Sequence, residues 1–143
     1  TLAATRRESN TLADEFALLR GYLEVQRMRM GERLRFSLAL PEPLAQADLP
    51  PMLLQPLVEN ALKHGIEPKV EGGEVKVSAR EEDNRLVLEV ADTVLGSANG
   101  ATGGTGVGLA NVRERLAVAF PGAQFEAGPN PAGGYTVRLS IPR

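Results

Sequence analysis

Three groups of residues in this 143-residue chain could do chemistry together. In Leu53–Gly65, reading LLQPLVENALKHG, the amide Asn60 lies one helical turn from Lys63 and His64, and Glu59 one turn from Lys63. A neutral oxygen donor beside a cation suits magnesium on a phosphate chain, because Mg2+ takes oxygen ligands and keeps waters and substrate phosphates in its shell. Further on, Asp92 shares the parity of Leu86, Leu88 and Val90 and so continues the inward face of a strand. A buried carboxylate needs a donor. An adenine exocyclic amine is a good one, and a charged hydrogen bond of that kind contributes about 1.5–3 kcal/mol. Third, the run Gly104-Thr105-Gly106-Val107-Gly108-Leu109 lets backbone approach phosphates, and the helix after it aims free N–H groups and its dipole at them.

Each group has a plainer reading. Glu59 and Lys63 alone make a solvated helix face worth only tenths of a kcal/mol, roughly. Asp92 alone makes an Asx turn at a strand end, and a glycine run alone resembles a linker. The run is not a Walker A loop, since no Gly-Lys-Ser/Thr follows. Nor is it a dinucleotide fingerprint, which needs glycine where Leu109 stands and a strand leading directly in. His64 is the one histidine of the chain, so it cannot form a multi-histidine metal site. It also lies on the helix expected to hold the nucleotide, a poor place for a phosphoacceptor.

Composition narrows the classes further. With no cysteine there are no disulfides, thiolate zinc sites or cysteine nucleophiles, which fits a cytosolic protein. A net charge of −2 argues against sequence-independent nucleic-acid binding, which needs a basic face. No apolar run approaches the roughly 20 residues that span a bilayer, and no signal peptide is present. The first residue is Thr1, which suggests a piece of a longer protein whose sensor or membrane region lies elsewhere.

These residues need elements to position them. Thr11 with Asp14 three residues on makes a capping-box-like helix start. Leu12, Phe16, Leu19, Leu23, Gln26 and Met30 then form a heptad seam with one polar member, either packed on its own domain or forming the tail of a dimerising hairpin, and Gly31 can end the helix. Arg33–Leu40 alternates as a strand, with Phe36, Leu38 and Leu40 on one face. A Pro-rich link, Pro41 to Pro51, leads to a second helix over Met52–His64 that buries Leu54, Leu57, Val58 and Ala61. Interior Pro56 costs about 3 kcal/mol there and predicts an irregular first turn or a bend. Glu74–Arg80 and Arg85–Asp92 form a hairpin around Glu82–Asn84, burying Val75, Val77 and Ala79 from one strand. Thr93–Val107 carries no charge and five glycines and predicts a loop. A third helix from about Gly106 buries Leu109, Val112, Leu116 and Phe120. Strands Gln124–Ala127 and Tyr135–Ile141 close the chain. Hairpins dominate, so the expected fold is α+β, a two-layer sandwich with a mixed, mostly antiparallel sheet and an N-terminal helix.

The strings LLQPLVENALKHG, Asp92 with Gly96, and GTGVGL before LANVRERL resemble, in order, the N, G1 and G2 boxes of the GHKL (Bergerat-fold) ATP-binding superfamily. Within it the chain is similar to the LytS/YehU-type sensor histidine kinases from about Leu12 to Pro142, with YLEVQRMRMGERL adding to the likeness. The resemblance implies that Asn60 holds Mg2+, Lys63 contacts phosphate and His64 lies against the nucleotide. It also implies that Asp92 reads the adenine amine, with Thr136 assisting through water, and that Gly96, Gly104, Gly106, Gly108 and Leu109 shape the nucleotide loop. Asn111, Arg113 and Arg115 match the family's wording. Glu59 is the nearest candidate base.

The domains implied are residues 1–31, the end of a dimerisation and phosphoacceptor region, and residues 32–143, the catalytic ATP-binding domain. Partners implied are ATP, the phosphoacceptor helix of the same parent, a second copy in a homodimer and a response regulator, with no nucleic acid. The parent would be a membrane-attached bacterial kinase and this part cytoplasmic. One departure stands in the G1 box: Val94 replaces the first glycine, at a cost of roughly 1–2 kcal/mol if that backbone needs positive φ. The gyrase-like ATPase branch places its water-activating Glu where this chain has Pro56. A GHKL serine kinase, and a non-catalytic interaction module on the same fold, remain the alternatives.

Overall fold

In the computed structural model, which describes residues 10–50, 52–93, 106–131 and 133–143, the Thr11 signal does start a helix. The Thr11 hydroxyl accepts the Asp14 N–H and the Asp14 carboxylate accepts the Thr11 N–H, both at 3.2 Å. Helix α1, Leu12–Met30, ends at Gly31, whose φ of 65° is one that glycine adopts without a Cβ penalty. Its seam faces the chain's own core: Leu12, Phe16, Leu19, Leu23 and Met30 are buried with the sheet's hydrophobics, and Gln26 is half-buried.

A short strand β1, Asn10–Thr11, precedes α1 and pairs antiparallel with β3, Asp48–Leu49. β3 and a 3-10 turn at Glu42–Leu44 lie inside the Pro-rich stretch that sequence gave as a plain link. Two-residue pairings carry too little periodicity to read from sequence.

The main sheet runs β2-β4-β5-β7-β6. Strand β2, Leu34–Ala39, is an edge strand parallel to β4, Gly73–Glu82. β4 turns through Asp83 and Asn84, at φ 50° and 65°, into β5, Arg85–Asp92. Two consecutive positive φ values suit the right-handed twist of a tight hairpin. β7, Tyr135–Pro142, lies antiparallel between β5 and β6, Gln124–Pro129.

Val75, Val77 and Ala79, then Leu86, Leu88 and Val90, then Val137, Leu139 and Ile141 are buried on the face that meets the helices. Each large side chain fully buried contributes about 1.5–3 kcal/mol. The other face carries an ion-pair ladder, in which Glu89 takes Arg80 at 3.1 Å and Arg138 at 2.7 Å. The helical layer comprises α1, α2 (Gln55–Asn60, continued by a π-helical turn Ala61–Ile66) and α3, Gly106–Ala119. The result is the expected two-layer α+β sandwich.

Candidate functional site

The sequence expected helix from Met52, with Pro56 in its interior giving an irregular first turn or a bend; the structure moves the helix start to Gln55 and shows the irregular turn. Met52 has φ 63° and lies outside the helix. Pro56 falls in the first turn of α2, where its missing N–H has no helical partner to lose. The turn is irregular, because the N–H groups of Leu57 and Val58 both donate to the Leu54 carbonyl, at 3.0 and 3.1 Å.

After Asn60 the helix widens, and the Glu67 N–H reaches the Leu62 carbonyl at 2.8 Å across five residues. Such π-turns recur at functional sites. Here the turn carries Lys63, exposed, and His64, half-buried, next to half-buried Asn60. Among the described residues none hydrogen-bonds the Asn60, Lys63 or His64 side chains. Glu59 is exposed and accepts the Gln55 amide at 3.2 Å. It also makes itself felt on α1: burial first, then the charges of Glu59 and Glu67, push the Tyr22 phenol up.

The π-turn packs on β4 and β5, and so lies over the strand that ends in Asp92. Asp92 is 0% exposed. Its Oδ1 accepts the Tyr135 N–H at 3.2 Å and its carbonyl accepts the Asn130 side-chain amide at 3.0 Å. The same amide nitrogen donates to the Thr136 hydroxyl at 3.1 Å, and the Asn130 side-chain oxygen accepts the Gly134 N–H at 3.0 Å. Asp92 and Thr136 are thus joined through one side chain, on neighbouring strands where Ala91 pairs Thr136. Gly134 is obligatory for a steric reason: a Cβ there would overlap the Asp92 carbonyl oxygen and come within 2.6 Å of Oδ1. On the other side of the strand end, the Thr93 N–H donates to the Glu74 carbonyl at 3.0 Å.

Sequence reasoning singled out Asp92 and Thr136, which stand on neighbouring strands, and did not single out Asn130, Gly134 and Thr93 beside them. An Asn shortly before Gly133-Gly134 is the usual sign of an Asx-type turn, and was the signal available for the first two.

Val94, Gly96 and Gly104 lie outside the described residues. Gly106 opens α3 and Gly108 is in its first turn, where the sequence placed the helix start. Leu109 is half-buried against the core. Arg113 stacks its guanidinium 5.0 Å from the Phe125 ring centroid. Arg115 donates to the Met52 carbonyl at 2.8 Å, so it does more than sit in solvent.

The described residues contain no cluster of three or more His, Cys, Asp or Glu able to hold a metal. A single amide oxygen on Asn60 fits magnesium that arrives with phosphate oxygens and water, not an ion held in an all-protein cage.

Residues 46–143 match the family model described as histidine kinase-, DNA gyrase B-, and HSP90-like ATPase. The chain is 40% identical over 110 residues to the sensor histidine kinase BtsS of Escherichia coli (strain K12), covering 77% of this chain and 19% of that protein. It is 33% identical over 113 residues to the sensor histidine kinase YesM of Bacillus subtilis (strain 168), covering 77% and 20%. It therefore spans about a fifth of the length of these relatives. Among solved structures, the nucleotide-free catalytic domain of histidine kinase ThkA superposes with a TM-score of 0.70 over 94% of this chain and 93% of that one, at 15% identity. That likeness concerns the fold.

Proposed function

The chain belongs to the family of histidine kinase-, DNA gyrase B-, and HSP90-like ATPases, and we propose that it is the catalytic ATP-binding domain of a LytS-type sensor histidine kinase. One observation carries the reading: a fully buried carboxylate, Asp92, is fixed at a strand end beneath the helix that carries Asn60 and Lys63. A buried acid is costly unless its acceptor positions are used. The Tyr135 N–H and the packing of Gly134 hold Oδ1 in one orientation, which suits a carboxylate that reads an amino group.

In this proposal Asp92 accepts the adenine amine, with Thr136 beside it. Asn60 offers its amide oxygen to a magnesium ion, and Lys63 balances phosphate charge. Magnesium, when bound, supplies further neutralisation of the phosphates. His64 lies against the nucleotide, and Gly96, Gly104, Gly106, Gly108 and Leu109 are the candidate phosphate-side contacts. The chain's contribution to phosphoryl transfer is then positioning and charge stabilisation: it presents the γ-phosphate to a histidine on the phosphoacceptor helix of the parent, from which a response-regulator aspartate would receive it. Glu59 is the candidate base, with its carboxylate steered by Gln55.

The parent is proposed to be a homodimeric, membrane-attached bacterial kinase with this domain in the cytoplasm, residues 1–31 belonging to the dimerisation region and 32–143 to the catalytic domain. Incubation with γ-labelled ATP tests the division of labour. The isolated chain should bind ATP and stay unlabelled, and stable acid-labile label on His64 would contradict it.

A further inference from the structure

Glu15 is a charged residue in the middle of an apolar seam, and no role in the nucleotide site accounts for it. It projects from α1 into the core at 1% exposure, between Leu12, Phe16 and Leu19. Its carboxylate does not pair with a charge in the hydrogen bonds the structure shows. Its Oε2 accepts the Leu54 N–H at 2.8 Å, and Oε1 accepts the Met52 N–H at 3.2 Å and the Asn10 side-chain amide at 3.4 Å. Two of these three donors are backbone groups of the segment that feeds α2, where Leu54 is the residue just before the helix.

Met52, the residue so held, has φ 63°, a region an L-residue other than glycine, asparagine or aspartate seldom occupies. Its carbonyl accepts from Arg115 on α3 at 2.8 Å. One strained residue is therefore gripped at its N–H by α1 and at its C=O by the helix that follows the glycine run. Leu54, fixed by the second Glu15 oxygen, supplies the carbonyl that starts α2 by accepting from both Leu57 and Val58. Asn60 is the last residue of the short helix that starts there.

We propose that Glu15 is a positioning residue for the nucleotide site: acting through Met52 and Leu54, with Arg115 as the opposing hold, it sets where α2 begins and hence where Asn60 and Lys63 stand. The inference rests on the reading of Asn60 and Lys63 as phosphate and metal contacts. A carboxylate suits the task because both oxygens accept, so two N–H groups two residues apart can be satisfied by one side chain. Glutamine in its place would turn an NH2 toward one of them.

The test uses the 143-residue chain with Glu15→Gln, Met52→Gly, the double variant and Arg115→Gln. ATP·Mg2+ affinity is measured by calorimetry, and site-resolved amide exchange by NMR. Glu15→Gln should weaken ATP about tenfold, the change that corresponds to ~1.4 kcal/mol. It should speed exchange at Met52, Leu54, Leu57 and Val58 while Val77 and Leu88 in the sheet keep their wild-type rates. Met52→Gly keeps both backbone bonds and removes the penalty of positive φ. It should bind ATP like the wild type, and in the double variant it should recover at least about half of the logarithmic loss, since the left-handed turn then depends less on Glu15. Arg115→Gln acts on the same residue from α3, and should produce the same local exchange pattern even if Glu15→Gln does not fold.

Wild-type ATP affinity in Glu15→Gln would overturn the proposal. So would a loss matched by faster exchange throughout the sheet, or a double variant no better than Glu15→Gln. An unsubstituted chain that binds no ATP would overturn the nucleotide reading instead. The exchange rates at Met52 and Leu54, and their rescue by glycine, would still decide whether Glu15 sets the helix start.

Discussion

The two ends of the proposed nucleotide site are built on opposite terms. At the adenine end, Asp92 is fully buried and held by the Tyr135 N–H, with Asn130 and Gly134 packed around it. At the phosphate end, Asn60 closes α2 and Lys63 and His64 stand on the π-turn after it, half-buried or exposed and without hydrogen bonds to described residues. The difference follows from what each ligand group brings. A base has fixed hydrogen-bonding edges, and a site organised in advance loses little entropy on binding it. A triphosphate with magnesium carries its own charges and waters, so the protein needs few contacts there and leaves them solvated until the ligand arrives. Damage at the adenine end should therefore cost folding and affinity together, and damage at the phosphate end affinity alone.

Gly134→Ala should break the comparison most severely. Its new Cβ meets the Asp92 carbonyl and carboxylate, so we expect a loss of about 1–3 kcal/mol of stability, the usual result of overpacking, and no measurable ATP binding. Urea unfolding beside an ATP titration reads both. Asp92→Asn keeps an oxygen for the Tyr135 N–H but gives up the charge. It should weaken ATP by about 1.5–3 kcal/mol, roughly ten- to a hundredfold, and relax the preference for ATP over GTP. Asn60→Ala should leave Tm nearly unchanged, within about 0.5 kcal/mol of stability as for a surface substitution, while ATP binding ceases to tighten with Mg2+. A variant that still gains from Mg2+ removes Asn60 from the metal.

The smallest effect lies on the opposite face of the sheet and serves as a control. Burial alone would raise the Glu89 carboxyl, but hydrogen bonds from Arg138 and Arg80, with their charges, hold it below the usual glutamate range. A carboxyl depressed in the folded state stabilises the fold above its unfolded pKa, and that contribution is lost as pH falls through its folded value. Acid should thus cost the wild type up to about 1 kcal/mol more than Glu89→Gln, and wild-type and variant chains should bind ATP equally well at neutral pH.

How much of this was legible in the sequence depended on the range of the forces involved. Alternation over six to ten residues fixed β4, β5 and β7 and the face that Asp92 shares, and the Thr11–Asp14 pair fixed the start of α1, because both are local. The buried side of the first helix, left open between the chain's own core and a partner helix, needed the structure to resolve. Met52 is a harder case: hydrophobic spacing placed it in the helix, whereas tertiary bonds from Glu15 and Arg115 hold it in a left-handed turn. Glu15 carries no signal in the sequence, since nothing in its neighbourhood names an amide 37 residues away. Asn130 and Gly134 carried a local sign, an Asn shortly before two glycines, but nothing in it names Asp92 as the residue they pack on. Pro56 was read as a fault and proved to be a first-turn residue once the helix start moved by three positions.

The most direct test is one titration of the unsubstituted chain with ATP and with GTP, each with and without Mg2+. ATP should bind in preference to GTP, because Asp92 accepts from an amine, and binding should tighten with Mg2+ because Asn60 adds a ligand to the phosphate-bound ion. Equal affinity for the two nucleotides, or no heat of binding with either, would contradict the ATP-site assignment.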